Sequence, residues 1–420
     1  MKNRILSVDV LRGMTIILMT IVNNPGDWGN VYPPLLHASW HGCTPTDLVF
    51  PFFLFVVGIS TALAMPVKQI SSKTYQKIAT RTFRIICLGL FLNFFSKLDA
   101  FGFEGFLLII YRLSFTALAV VAFLGDYDRN KQLYVAFGSF ILMMVLAFGG
   151  FGQFESVRIP GVLQRIGIVY GIVSLIYLHT STRIQILIGS SILLIYWAIM
   201  TLIPVPNGNP PNVEVGTSLA AWLDETLLTT HNWSSTKTWD PEGILSTLPA
   251  IGTGIAGLLI GQLLIREIPQ RKKSLQLLGI GVTAIILGLL WNIVFPINKA
   301  LWTSSYVIYT AGLATLVLSI LYYITDVRKY KSWTKPFIIF GVNPMVIFFF
   351  SGIIPRVLGM IEVPSPAGES ISVRAYVYDY MIVPLFENPM NASLAGALIY
   401  LVIWFVILTL FYRKDLIFKV

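Results

Sequence analysis

The stretch whose reading decides the fold is Leu6-Ser7-Val8-Asp9-Val10-Leu11-Arg12-Gly13-Met14-Thr15-Ile16-Ile17-Leu18-Met19-Thr20-Ile21-Val22-Asn23-Asn24. A helix through lipid needs roughly 20 mostly apolar residues, and this run has that length. It does not read as a cleavable leader, because Asp9 and Arg12 interrupt it and no small-residue cleavage pattern follows. Asp9 and Arg12 stand three apart, on one helical face, where they can pair. A charge near the middle of a membrane helix costs about 2.5–3.5 kcal/mol, so such a residue needs a partner or a task. An ion pair that only anchors the helix is one answer, and a functional site is the other.

Outward from this run the pattern repeats. Apolar spans fall near 6–24, 45–65, 79–97, 103–124, 132–150, 159–179 and 184–203, then near 243–264, 275–295, 304–324, 335–355 and 392–412. The expected fold is therefore all-α: one polytopic transmembrane bundle over residues 1–420 with about twelve spans. Composition agrees. Of the residues, 55% are apolar and only 12% charged, with a mean hydropathy of +0.75, against roughly 25% charged in soluble domains.

The net charge of +10 could indicate nucleic acid if the basic residues formed a stripe. They form short clusters between spans instead. With the N-terminus inside, twenty Lys and Arg fall on inner segments, among them Lys2, Arg4 and Lys419, and six on outer ones. That is the positive-inside pattern, which places both termini in the cytoplasm and excludes a nucleic-acid partner. Cys43 and Cys87 have neither the spacing of a C-x-x-C pair nor a histidine at ligand distance, so no disulfide or metal is expected. The outer loops 25–44, 204–242 and 356–391 are long, whereas the inner ones are short and basic. Substrate is expected at the outer face, unless the loops are passive lids.

Several polar residues stand out. Arg84, Arg112 and Arg165 fall inside spans, and Gln164 precedes Arg165 in Arg158-Ile-Pro160-Gly-Val-Leu-Gln164-Arg165. An inward arginine reached from the cytoplasm would suit a phosphate. The loop after the first span reads His37-Ala-Ser-Trp40-His-Gly42-Cys-Thr44-Pro-Thr46-Asp47. Thr44 or Thr46 can cap the second helix and Asp47 can complement its dipole. His37 can act as a base near neutral pH, or can simply be exposed. Further on, Asp240 and Glu242 in Trp239-Asp240-Pro241-Glu242-Gly243 could bind an amine, or cap a helix, and Asn298-Lys299-Ala-Leu-Trp302 follows in another outer loop. Asn343-Pro344 inside a span implies a kink.

Five of these motifs, in order, resemble the heparan-α-glucosaminide N-acetyltransferase family: Arg4 to Gly13 around Asp9-x-x-Arg12, His37 to Pro51, Arg158 to Arg165, Trp239 to Leu245, and Asn298 to Trp302. The resemblance implies acetyl transfer from cytoplasmic acetyl-CoA to the amino group of a terminal glucosamine across the membrane, by a homodimer that needs no metal. It puts the active-site histidine on His37 and an asparagine on Asn23. Within that frame Trp40, Asp240, Glu242, Asn298 and Lys299 are expected to bind the amino sugar or glycan, with Trp40 stacking on its apolar face. Arg12, Arg84, Gln164 and Arg165 are expected on the donor. The chain lacks the family's large lumenal N-terminal domain, so it reads as a bacterial, inner-membrane member. Ten spans are family-like, and a pair within 101–150 reads as an addition. Two other functions stay open: an O-acyltransferase of envelope polysaccharide and a sugar secondary transporter.

Overall fold

The computed structural model describes residues 5–99 and 102–418, so Lys2, Arg4 and Lys419 lie outside the described residues. Helices dominate: α1 (Leu6–Asn23), α2 (Val49–Ala64), α3 (Ser72–Phe94), α4 (Gly105–Leu124), α5 (Arg129–Phe148), α6 (Val162–His179) and α7 (Thr182–Leu202). After a long connection holding the short α8 (Leu219–Leu228) come α9 (Thr247–Ile265), α10 (Gln270–Trp291), α11 (Ser304–Tyr322), α12 (Lys335–Val342), α13 (Pro344–Leu358), α14 (Val373–Tyr376) and α15 (Pro389–Arg413). Among the described residues, eleven helices are long and apolar enough to cross a membrane, and α12 with α13 forms a bent pair that makes twelve. The protein is thus a multi-pass helical membrane protein.

Local chemistry explains several helix starts. The side chains of Ser71, Asp128, Ser218 and Asn388 accept backbone N–H bonds ahead of α3, α5, α8 and α15, satisfying donors that the first turn leaves open. The kink expected before Pro344 is a 75° bend. Proline cannot donate to the carbonyl four residues back, and its ring crowds that turn.

Burial sorts the helices into layers. The spanning windows of α3 and α9 are 72% buried, whereas those of α5 and α15 are only 22% and 17%. Exposed side chains on the outer helices, such as Leu118 and Val121 on α4 or Leu287 and Leu290 on α10, are apolar; lipid is their solvent. At the centre α2 meets α9 through glycine. A Cβ on Gly58 would lie 2.1 Å from the Gly254 carbonyl oxygen, and one on Gly257 would lie 2.0 Å from that of Phe55. Only glycine allows backbones this close in a membrane helix pair.

Hydrogen bonds between the connections join the helices at two ends. One end, rich in Lys and Arg, is tied by Lys68 Nζ to the Thr180 carbonyl (2.5 Å) and by the Leu6 amide to Asp326 (3.2 Å). The other carries the long loops, joined by the Gly42 amide to the Ile297 carbonyl (2.8 Å), Ile159 to His231 (3.0 Å) and Gly26 to Ser393 (3.0 Å). Helix α8 and an antiparallel hairpin, β1 (Glu362–Pro364) with β2 (Ser370–Ser372), lie in these loops and have no counterpart in the sequence reading.

Candidate active site

At the loop end, the chain between α1 and α2 closes on itself through Asp47. This residue sits in the tight turn Thr46–Leu48 ahead of α2, with its side chain only 1% exposed. Its two oxygens do different work. Oδ1 is 2.6 Å from His37 Nδ1. Oδ2 accepts the backbone amides of Ala38 (3.0 Å) and Thr44 (2.9 Å), with the Thr44 hydroxyl at 3.0 Å. The Asp47 carbonyl in turn accepts the hydroxyl of buried Tyr306 at 2.5 Å. A carboxylate is an acceptor, so His37 carries its proton on Nδ1 and offers a basic Nε2. The imidazole is 53% exposed, open to an incoming molecule.

Sequence reasoning gave Asp47 a helix-dipole role and missed this pairing, because a first-turn acid reads the same whether it faces the helix or folds back on its loop. Neither Thr44 nor Thr46 makes a side-chain cap. Cys43 is no competing nucleophile: burial, then the Asp47 charge, push its thiol up to about 12, so it stays protonated. Asn23 ends α1 at the same end of the bundle, with an exposed side chain.

Behind this pair lies a buried ionic cluster. Arg158 grips Asp240 with two bonds, Nε to Oδ2 at 2.7 Å and Nη2 to Oδ1 at 2.6 Å, and also contacts Glu242. Lys299 Nζ is 4.0 Å from the other Glu242 oxygen. Burial works against the Glu242 charge, but Arg158, Lys299 and Arg165 outweigh it and hold the carboxyl below its ordinary range. Asp240 and Glu242, expected to meet an amine from outside, thus already face a guanidinium of their own chain.

Asp224 on α8, absent from the sequence reading, sits beside them and is pushed up to about 6, by burial first, despite accepting the Ile244 (2.8 Å) and Asp240 (3.2 Å) amides. A Cβ on Gly243 would lie 2.0 Å from Asp224 Oδ2, so the Trp239-to-Gly243 motif wraps this acid. Trp40 donates its indole N–H to the Val213 carbonyl (2.8 Å) and meets Trp239 edge-on at 5.3 Å. It ties the first long loop to the second. Asn298 is buried and shapes its own turn, accepting the Leu301 amide at 2.8 Å.

The residues expected on the donor divide between the two ends. Because α6 begins at Val162, Gln164 and Arg165 fall in its first turn at the loop end. Gln164 donates to the Ile159 carbonyl (3.1 Å). Arg165, 1% exposed, donates to Ser246 Oγ (2.5 Å) and the Gly243 carbonyl (3.1 Å) and lies 5.1 Å over Trp302. The structure therefore seats Arg165 with the Asp240 cluster, while Gln164 packs against Gly89 of α3; neither lines the cavity that holds Arg84.

Arg12 and Arg84 do share a space. A cavity of about 640 Å³ opens at the basic end, lined by Arg12, Lys77, Arg81, Arg84 and Arg129 with a single acid, Asp126. Arg12 pairs with Asp9 (3.1 Å) and donates to Ser60 Oγ (2.9 Å), while Arg84 donates to the Gly125 carbonyl and lies 5.5 Å over Tyr127. Thr80 Oγ1, Arg81 Nε and Arg84 Nε are buried and have no hydrogen-bond partner, which a buried donor rarely tolerates without a ligand or water. The lining reaches along α2 from Ala64 to Phe53. Asp47 is six residues further, about 9 Å at 1.5 Å per residue.

The fold is that of a multi-pass helical membrane protein with a histidine–carboxylate pair at one end and a cation-lined cavity at the other. Residues 4–150 match the family model described as heparan-α-glucosaminide N-acetyltransferase, catalytic; that match includes the helix pair α4–α5 expected as an addition. The chain is 28% identical to the human heparan-α-glucosaminide N-acetyltransferase over 404 residues, covering 82% of this chain and 52% of that protein. For the mouse protein of the same name the identity is 27% over 405 residues, with 82% and 53% covered. The chain is thus similar to heparan-α-glucosaminide N-acetyltransferases along most of its length, and it spans about half the length of the curated relatives it matches.

Proposed function

We propose that this chain moves an acetyl group from acetyl-CoA to the amino group of a glucosamine-type sugar, taking the donor at the basic end and the acceptor at the His37 end. The observation that carries this reading is the pair of sites on shared helices. Helix α1 carries Arg12 at the cavity and ends at Asn23 near the loops, and α2, which starts two residues after Asp47, runs to Ser60 and Ala64 in the cavity wall. Five cations and unpartnered buried donors suit the phosphates of CoA. The uncharged pantetheine arm then passes along α2 toward His37, so no phosphate enters hydrocarbon. The positive-inside pattern puts the basic end in the cytoplasm.

His37 Nε2 takes the proton of the attacking amine as its nitrogen bonds to the thioester carbonyl carbon. Asp47 holds the ring in the productive tautomer and offsets the imidazolium charge. General-base help of this kind is worth about 10²–10⁴-fold. Asn23 donates a hydrogen bond to the developing oxyanion. The C–S bond then breaks, the proton returns to the leaving sulfur, and CoA and an N-acetyl sugar result. With Asp240 and Glu242 engaged by Arg158, the ionic cluster sets the shape of the acceptor mouth and His37 meets the amine directly.

The test is turnover. Protein in nanodiscs receives acetyl-CoA and glucosamine, and both CoA release and N-acetylglucosamine are measured. The expected result is matched formation of both, abolished in His37→Ala while the fold persists. CoA release without N-acetylglucosamine would move the acceptor to a hydroxyl, and sugar uptake into vesicles without acetylation would make the protein a transporter.

A further inference from the structure

The mechanism above leaves one wall of the cavity without a task. After α15 the described residues turn back toward the bundle. Lys414 ends the helix by donating to the Leu410 carbonyl (3.1 Å), Asp415 adopts φ +52°, and the Leu416 amide returns to the Phe411 carbonyl (2.9 Å). Residues 414–418 thus double back, and Ile417 and Phe418 become part of the cavity lining. Phe418 packs on Phe411 with ring centroids 5.8 Å apart.

What fixes this strap is Asn343, the 1% exposed residue at the break between α12 and α13. Its Nδ2 donates to the Leu416 carbonyl and its Oδ1 accepts the Phe418 amide, both at 2.9 Å. Both polar atoms of a buried side chain are committed to the strap, so the strap belongs to the bundle. Beside it, Gly341, Val342, Pro344 and Met345 continue the lining. The lining therefore combines cations from α3 and α5 (Lys77, Arg81, Arg84 and Arg129) and Arg12 of α1 with an apolar set from the α12–α13 break and the strap that ends in an aromatic ring.

We propose that the strap is the base-recognising wall of the donor site, with the purine of CoA lying against Phe418 and the α12–α13 break while the cationic sector takes the phosphates. The inference rests on the donor reading above. A purine is flat, with apolar faces and a polar rim. Stacking on an aromatic side chain is sequence-tolerant and is worth on the order of ten- to a hundredfold in affinity. The cationic sector could hold any polyanion; only the apolar one distinguishes a nucleotide from a bare phosphate ester. Phe418 is then a specificity-determining residue, and Asn343 positions it.

The experiment compares two probes on the full chain in nanodiscs: CoA, and 4′-phosphopantetheine, which has the arm and a phosphate but no base. Phe418→Ala should weaken CoA about tenfold and leave 4′-phosphopantetheine unchanged, Phe418→Trp should restore CoA, and Asn343→Ala should repeat the Phe418→Ala pattern by releasing the strap. Equal weakening of both probes in Phe418→Ala, or no change in either, would overturn the proposal. Arg81→Ala keeps the two readings apart. If it weakens CoA while the strap variants do not discriminate the probes, the strap proposal alone fails; if it leaves CoA binding unchanged, the donor reading beneath it fails too.

Discussion

Replacing Asp47 by asparagine separates the two jobs its carboxylate performs. In the parent, Oδ2 holds the loop by the Ala38 and Thr44 amides, and Oδ1 holds His37 Nδ1. Asparagine has one acceptor oxygen. The two part-buried loop amides claim it together, so the new side-chain nitrogen faces the imidazole as a donor. His37 must then accept at Nδ1, its proton moves to Nε2, and the basic nitrogen is gone. The expected loss in kcat is about 10²–10⁴-fold, or roughly 3–5 kcal/mol at 1.36 kcal/mol per decade. KM for acetyl-CoA should hardly move, since the cavity lining stops at Phe53. The melting midpoint should stay close to the parent's, because the loop bonds survive. Asp47→Ala differs: it leaves those two amides unpaired at about 1–3 kcal/mol each and loses the loop as well. Initial rates of CoA release with saturating glucosamine, read beside thermal unfolding, give the answer. An Asp47→Asn protein that keeps its parent rate would refute the assignment of His37 Nε2 as the base.

Arg158→Ala should destabilise the protein by about 3–5 kcal/mol, since it strands two buried carboxylates, and a lowered unfolding midpoint in detergent would show it. Arg158→Lys should rescue little, because an ammonium cannot bridge Asp240 and Glu242 as the guanidinium fork does. Asp224 predicts a pH signature. Its folded pKa of about 6 lies above the ordinary aspartate value of 3.8, so the native state holds the proton more tightly; the cost of ionising it is full above pH 6 and disappears below pH 4. Going from pH 7 to 5 should therefore stabilise the parent relative to Asp224→Asn by about 1 kcal/mol, and a pH-independent difference would contradict the buried assignment. Finally, Arg81→Ala should weaken CoA binding about tenfold whereas Arg165→Ala should mainly lower stability, a contrast that equal effects on CoA affinity would erase.

The spans were legible because a bilayer dictates both their length and their solvent. Boundaries at Leu6, Thr182 and Ser304 lie within two residues of those read from hydropathy alone. Helix α8 was not legible, since ten residues in a polar loop carry no membrane signal, and Asp224 went unseen with it. The motif Trp239-Asp240-Pro241-Glu242-Gly243 was legible as a site but not its partner: Arg158 sits 82 residues from Asp240, and only folding pairs them. Arg165 shows the opposite failure. A charge within an apolar run reveals that something must face it, but not at what depth, and depth is what separates the Ser246 contact from the basic cavity. Chemistry and family resemblance single out His37 as the expected base. Its dependence on Asp47 needed the loop to close.

Sealed vesicles test transfer between two faces of the bilayer. Acetyl-CoA, too charged to cross lipid, is supplied only outside sealed proteoliposomes, and a glucosamine-terminated oligosaccharide is trapped only inside. N-acetylated oligosaccharide accumulating inside, and absent with His37→Ala, is the expected result. Product that forms only when donor and acceptor share a compartment would rule out transfer across the bilayer.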